Sequence, residues 1–420
     1  MQRIERNLGM SIVTMALILG ACEGSSDDKW AVGTITQSLT SSLWDAASGN
    51  SRLLTDTSVG ATQQVIASRT FMLSAAAPVL FHGCGNWFHQ SGTAIAQVRI
   101  RVDGNDLSET SMLFNSVAGQ RHPFMLQAVS TLGAGSHTVE LVALRSAGTG
   151  TFTVQASSQV TNLVGFANVQ QLMNYSPVTI SNTSFTDVLS GNYSTTGAVF
   201  LQSSATIQRL SGEGDAITEI FADGSWKGQV GINDMVIGQD DIAPQSGHAI
   251  VSLASGIHTF NLKSAKLDYP SNTVAFNVGA GATLVTAWGN IAGHKETESK
   301  DQTFGNVQPA DLASTTFDLP PGHNGRVWIA AQGRWLDLNN AGTGGLEAAV
   351  LVLDGREVGP FALQNFVSGK TMSQRNFALG YLAIDLAAGT HTVAVRVRPA
   401  TPGGVNMPNF TANAITVALW

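Results

Sequence analysis

The sequence predicts an all-β protein built from three tandem antiparallel β-sandwich domains. Three observations carry that reading. One short motif occurs three times at near-constant spacing. Around each copy the apolar residues alternate with polar ones, the period of a half-buried strand. Turn residues recur every 8–12 positions, and beyond the first 21 residues no stretch shows the 3.6-residue period of an amphipathic helix.

Residues 1–21 are an address rather than part of the fold. Arg3 and Arg6 make a positive start, and Ser11 to Leu19 form a short apolar run, too short to span a bilayer. The following Leu19-Gly20-Ala21-Cys22 resembles the bacterial lipobox. The resemblance implies cleavage before Cys22 and acylation of its thiol and new amino terminus. Several acyl chains anchor stably where one holds only marginally. Glu23 follows the cysteine, and the absence of Asp there leans towards the outer membrane. Residues 22–40, polar and aperiodic, read as a flexible tether. Cys84 is the only other cysteine, so an acylated Cys22 leaves no intrachain disulfide.

The repeat occupies the rest of the chain, with units at 41–166, 167–294 and 295–420. Gly135-Ser136-His137-Thr138-Val139 recurs as Gly256-Ile257-His258-Thr259-Phe260 and as Gly389-Thr390-His391-Thr392-Val393, with the histidines 121 and 133 residues apart. Asp103-Gly104, Asp223-Gly224 and Asp354-Gly355 precede the motif glycine, the turn glycine lying 31, 32 and 34 residues before it. An apolar strand leads each unit: Val79-Leu80-Phe81, Val199-Phe200-Leu201 and Val327-Trp328-Ile329. Each unit closes near an aromatic, at Phe166, Trp288 and Trp420. Val98, Ile100 and Val102 alternate with Gln97, Arg99 and Arg101 up to the Asp-Gly pair, a strong hairpin signal.

A strand ending in Asp-Gly, then a strand leading into Leu386-Ala387-Ala388-Gly389-Thr390-His391-Thr392-Val393, resembles the C1q/TNF-like jelly roll of bacterial and phage surface proteins. Leu132 and Leu253 hold the leucine position in the other copies. That family assembles as trimers, so three units in one chain imply an intramolecular pseudo-trimer and a single-chain monomer. Unlike residues at matching positions fit this: Phe221 and Val352 replace Arg101, and Val350 replaces Arg99. A covalent trimer lets each interface diverge, whereas a homotrimer cannot. The competing resemblance is to tandem carbohydrate-binding modules, strung as separable beads.

Candidate chemistry is sparse. Alternation puts His137, His258 and His391 on the core side at its rim, where an imidazole bonding a turn carbonyl would fix the hairpin. His82-Gly83-Cys84-Gly85-Asn86-Trp87-Phe88-His89 holds two histidines and the thiol. Units two and three carry nothing similar, so the segment reads as a divergent loop. Trp226 and Trp335, each beside a turn, are candidate contacts for a protein or glycan ligand. No serine-hydrolase elbow, phosphate loop, zinc-protease or dinucleotide motif is present. No metal or cofactor is expected, and the chain is expected not to be an enzyme. A charged fraction of 12% with a net charge of -7 disfavours nucleic-acid binding. The expected role is binding, adhesion or assembly at the cell surface or in the periplasm.

Overall fold

A computed structural model describes residues 51–419 apart from 53–56, 93, 108–110, 114–120, 156–161, 168–169, 175–176, 196, 213, 236–241, 268–274, 279–282, 290–292, 300–301, 304–308, 338–345, 366–373, 384 and 400–407. All described residues fall within one compact unit, Thr34–Trp420. The expected signal segment at 1–21, Cys22 and the expected tether lie outside them. Among the described residues every regular element is a strand, and every strand pair is antiparallel. None is a helix long and apolar enough to cross a membrane.

Each repeat is a sandwich of two sheets, as the threefold motif predicts. The outer sheets have the same order. In repeat 1 it runs Gln64–Leu73, Gly135–Gly148, Ala94–Val102, Asn105–Asp106. In repeat 2 it runs Thr186–Thr195, Gly256–Leu267, Gly214–Ala222, Ser225–Met235, and in repeat 3 Ala310–Leu319, Gly389–Pro399, Leu346–Leu353, Arg356–Asn365. Each inner sheet is built on one long strand: Ala77–Ser91, Ala198–Ser211 or Val327–Asp337. These pair with Arg121–Leu132, Ile242–Ser252 and Gln374–Ala383 respectively. The closing aromatics return to the leading strand, with Phe166 opposite Leu80 and Trp288 opposite Phe200.

Strand alternation decides which side chains fill each sandwich. Val79 and Phe81 meet Ile100 and Leu141 in the first core. Val199 and Leu201 meet Ile220 and Leu262 in the second, and Val327 and Ile329 meet Leu351 and Val395 in the third. Side chains at the intervening positions of the same long strands point the other way. A lone sandwich would expose them to water, yet Leu80, His82, Cys84, Phe200, Gln202 and Trp328 are all buried.

They are buried because the three inner sheets face one another, which is the pseudo-trimeric arrangement. The Gln127 amide donates to the Gln202 carbonyl at 3.1 Å, and the Ser246 hydroxyl to the Met125 carbonyl at 3.0 Å, joining repeats 1 and 2. Gln332 brackets the backbone of His248, accepting its N–H at 2.7 Å and donating to its carbonyl at 3.2 Å, joining repeats 2 and 3. The Cys84 thiol donates to the Gly380 carbonyl at 3.6 Å, and the His82 ring stands edge-on to Trp328 at 5.1 Å, joining repeats 1 and 3. Edge contacts run in one sense round the ring. Ser111–Leu113 touches Ile242–Ser252, Ser225–Met235 touches Gln374–Ala383, and Arg356–Asn365 touches Arg121–Leu132. This is a head-to-tail contact that closes after three steps.

Two sequence arguments are corrected. The unlike residues at Arg101 and Phe221 lie on outer sheets, where Arg101 pairs with Glu140 and Phe221 packs on Phe185. The faces that meet are the inner ones. The segment from His82 to His89 is not a loop but the middle of the fifteen-residue strand Ala77–Ser91.

Candidate binding face

The three Asp-Gly turns have the same backbone. Asp103, Asp223 and Asp354 have φ of 49, 48 and 49°, and the following glycines 81, 73 and 77°. Two successive positive φ values make the tight turn that matches strand twist, and Asp tolerates that conformation better than most residues. The turn aims each carboxylate at the motif strand. Asp103 Oδ1 accepts the Thr138 amide at 2.8 Å, and Oδ2 accepts His137 Nδ1–H at 2.6 Å. His137 Nε2–H donates to the Gly133 carbonyl at 2.9 Å. Repeat 2 matches, with Asp223 on Thr259 and His258, and His258 on Ala254. So does repeat 3, with Asp354 on Thr392 and His391, and His391 on Ala387.

Each imidazole thus has an acceptor at both ring nitrogens, so both must donate, and the ring that fits is the imidazolium. Electrostatics agree. The carboxylate bond first, and the carbonyl second, hold His137 and His258 above the ordinary range. At His391 burial pulls down, but Ala387 and Asp354 outweigh it. Asp103 and Asp223 are held low by the imidazole and then the threonine amide. At Asp354 burial opposes the same two bonds and loses. With carboxylate and imidazole engaged in each clasp, the assembly pins a hairpin.

Trp226 is placed differently. It follows the turn of repeat 2 and is the cross-strand partner of Phe221, on the outer sheet facing solvent. Phe185 meets Phe221 edge to face at 5.6 Å. Trp226 and Phe185 remain 51% and 42% exposed. Polar groups border the rings. Lys263 Nζ lies 5.2 Å from the centre of Phe221 and 3.4 Å from Asp187 Oδ1. Asn261 donates to Asp187 at 3.2 Å and to Ser190 at 2.9 Å. The indole N–H of Trp226 bonds the Glu219 carboxylate, whose burial raises its pKa against that bond.

Register identifies the same positions in repeat 1. Arg101 stands for Phe221, Asp106 for Trp226 and Glu140 for Asn261. There Arg101 pairs with Glu140 at 2.6 Å and Arg99 with Asp106 at 2.9 Å. In repeat 3 the positions of Phe221 and Trp226 carry Val352 and Glu357. The fold therefore does not require aromatics here.

Trp335 lies on the inner strand Val327–Asp337, opposite Arg375 and Phe410; its side chain lies outside the described residues. The structure puts the two tryptophans on different sheets. Among the described residues, no three His, Cys, Asp or Glu side chains converge as a metal ion would need. His82 and His248 lie between the repeats, fully desolvated, and burial pushes both pKa values down to about 3, with mutual repulsion adding at His82. Sequence reading missed Phe185, Glu219 and Lys263. Residues two before and two after an Asp-Gly turn are cross-strand partners, a signal that would have joined Phe221 to Trp226.

No protein-family model matches the chain, and no curated protein matches it. Solved structures do. PNGase F, a glycosylasparaginase from Flavobacterium meningosepticum, is 9% identical, with a TM-score of 0.29 over 60% of this chain and 96% of that one. The CBM22-1–CBM22-2 tandem domain of Paenibacillus barcinonensis Xyn10C is 11% identical, with a TM-score of 0.18 over 59% of this chain and 100% of that one. The infectious bursal disease virus VP2 subviral particle is 8% identical, with a TM-score of 0.22 over 92% and 83%. Likenesses this faint assign no activity. They do correct the expectation that the chain is not an enzyme. That expectation rested on absent motifs, and PNGase F, described as an asparagine amidase, is an enzyme among the chain's structural matches.

Proposed function

We propose that the chain is a lipid-anchored protein of the bacterial cell envelope, held at the outer membrane by acylated Cys22. Its three C1q/TNF-like jelly rolls do within one monomer what three subunits do in that family. They make a rigid scaffold that presents a binding face on the outer sheet of repeat 2. The observation that carries this reading is the aromatic group of half-exposed Phe185 and Trp226 with partly buried Phe221, at positions where repeat 1 uses ion pairs.

Two measurements test it. Labelled palmitate fed to producing cells should enter the wild-type chain and not Cys22→Ser, and the variant should leave the membrane fraction. Purified full-length protein in detergent should be retained on envelopes from cells lacking it. Trp226→Ala, at unchanged melting temperature, should lose about tenfold in retention, the scale of a central aromatic contact. Equal retention would remove repeat 2 as the binding face.

A further inference from the structure

The aromatic face has features that select among ligands. Phe185 and Phe221 stand edge to face, and Phe185 and Trp226 are about half exposed. Phe221 is fixed at its edge by Phe185 and over its ring by Lys263, while Trp226 is fixed at its nitrogen by Glu219. Around it are both hydrogen-bonding senses: carboxylates at Glu219 and Asp187, an ammonium at Lys263, and an amide at Asn261. A ligand matching this has a flat apolar face for the rings and many hydroxyls for the fringe. A pyranose with equatorial substituents is such a ligand, because its axial C–H bonds form an apolar face and its hydroxyls project from the rim. A chain of them linked β-1,4 stays extended and flat, so successive rings can cross the outer strands from Trp226 past Phe221 to Phe185. An α-1,4 chain coils away. Repeat 1 supplies the internal contrast, since its ion pairs satisfy the same sheet without any ring.

We propose that the outer face of repeat 2 binds a β-1,4-linked glycan chain, stacked on Trp226 and Phe185 and hydrogen-bonded by Glu219, Lys263 and Asp187. The proposal rests on this face being the functional one. The array of separable carbohydrate-binding units is not what is proposed; there is one platform on one inseparable scaffold.

The test is isothermal titration calorimetry on the full chain in detergent, with cellohexaose, chitohexaose and maltohexaose as probes. Saturable binding of cellohexaose or chitohexaose, weakened about tenfold in Trp226→Ala and several-fold in Phe185→Ala, is expected. Glu357→Ala, at the matching position of repeat 3, should bind as wild type does. Maltohexaose bound as tightly as the β-linked probes would overturn the linkage class. β-Linked binding unchanged in Trp226→Ala would overturn the site. If wild type binds none of the three, the glycan class fails. Envelope retention lost in Trp226→Ala would then leave the face standing with a protein partner, and retention unchanged would remove both.

Discussion

The axial interior and the outer face of repeat 2 are both places where the three repeats differ, yet for opposite reasons. On the axis, His82, Gln202 and Ala330 occupy equivalent positions of the leading strands, and the contacts around them differ from repeat to repeat. His82 lies against Trp328, Phe200 stacks on His248 at 5.6 Å, and Gln332 holds the backbone of His248. Packing there is three-sided and unequal, so the residues must differ. On the outer face no neighbouring repeat dictates the choice. Arg101 with Glu140 and Phe221 with Phe185 are alternative coverings of one sheet. The first suits water, and the second leaves half-exposed rings that solvation does not favour. Divergence under packing constraint speaks of assembly, and divergence without it speaks of a ligand.

The contrast is sharpest in acid. His82 and His248 are neutral in the fold, with pKa values of about 3, and return to about 6.5 on unfolding. The unfolded chain then binds more protons, so stability falls as pH drops from 6.5 towards 3. Each histidine contributes about 1.4 kcal/mol per pH unit across that window. Urea unfolding at pH 7 and 5 should show the loss. His82→Leu should halve it, and should be about 1 kcal/mol more stable than wild type at pH 7, since neither ring nitrogen has a hydrogen-bond partner among the described residues. An unchanged acid slope in that variant would detach the effect from the axis.

Next in size is Gly380→Ala. Its Cβ would sit 2.6 Å from a Trp328 ring carbon and 2.7 Å from one of His82, both rigid rings from two repeats. Overpacking of that kind should cost about 3 kcal/mol in urea unfolding. A loss below about 0.5 kcal/mol, the scatter of surface changes, would mean the interface is looser than drawn.

The clasps come third. Asp223→Asn removes an acceptor charge from a partly exposed pair, so about 1 kcal/mol is expected after screening. The sign with pH is opposite to that of the axis. The raised imidazole pKa makes this stability complete below 6.5 and loses it as pH rises through the folded value. The depressed Asp223 pKa keeps it down to mild acid. Melting temperature should therefore decline on the alkaline side in wild type. The decline should shrink in a variant carrying Asn at Asp103, Asp223 and Asp354. Smallest of all, Trp226→Ala should move stability by less than about 0.5 kcal/mol, as an exposed side chain does, while changing retention on envelopes. A large loss of stability would recast the ring as packing.

Much of the architecture was readable from residues. Three copies of Gly-x-His-Thr and three Asp-Gly pairs give the repeat and its hairpins, because turn chemistry and strand alternation are local. The partnership of Asp103 with His137 was not readable, because the two lie 34 positions apart and meet only through strand register. The segment around His82 looked like a divergent loop because units two and three carry nothing similar at the matching positions. It is a strand because both of its faces are buried, one against its own core and one against Trp328 and Gly380. Phe185 gave no signal, since its distance in sequence from Phe221 and Trp226 hides a shared face.

By itself the sequence determined the all-β class, the threefold repetition and the turns, since period two, Asp-Gly and Gly-x-His act through bonds and neighbours a few residues apart. Tertiary structure alone decided that the inner sheets close on one another, which histidines are charged and which are stripped of solvent, and that three aromatics share an open face. Those outcomes depend on what arrives from another strand or another repeat, and burial, register and desolvation are properties of the assembled chain rather than of any stretch of it.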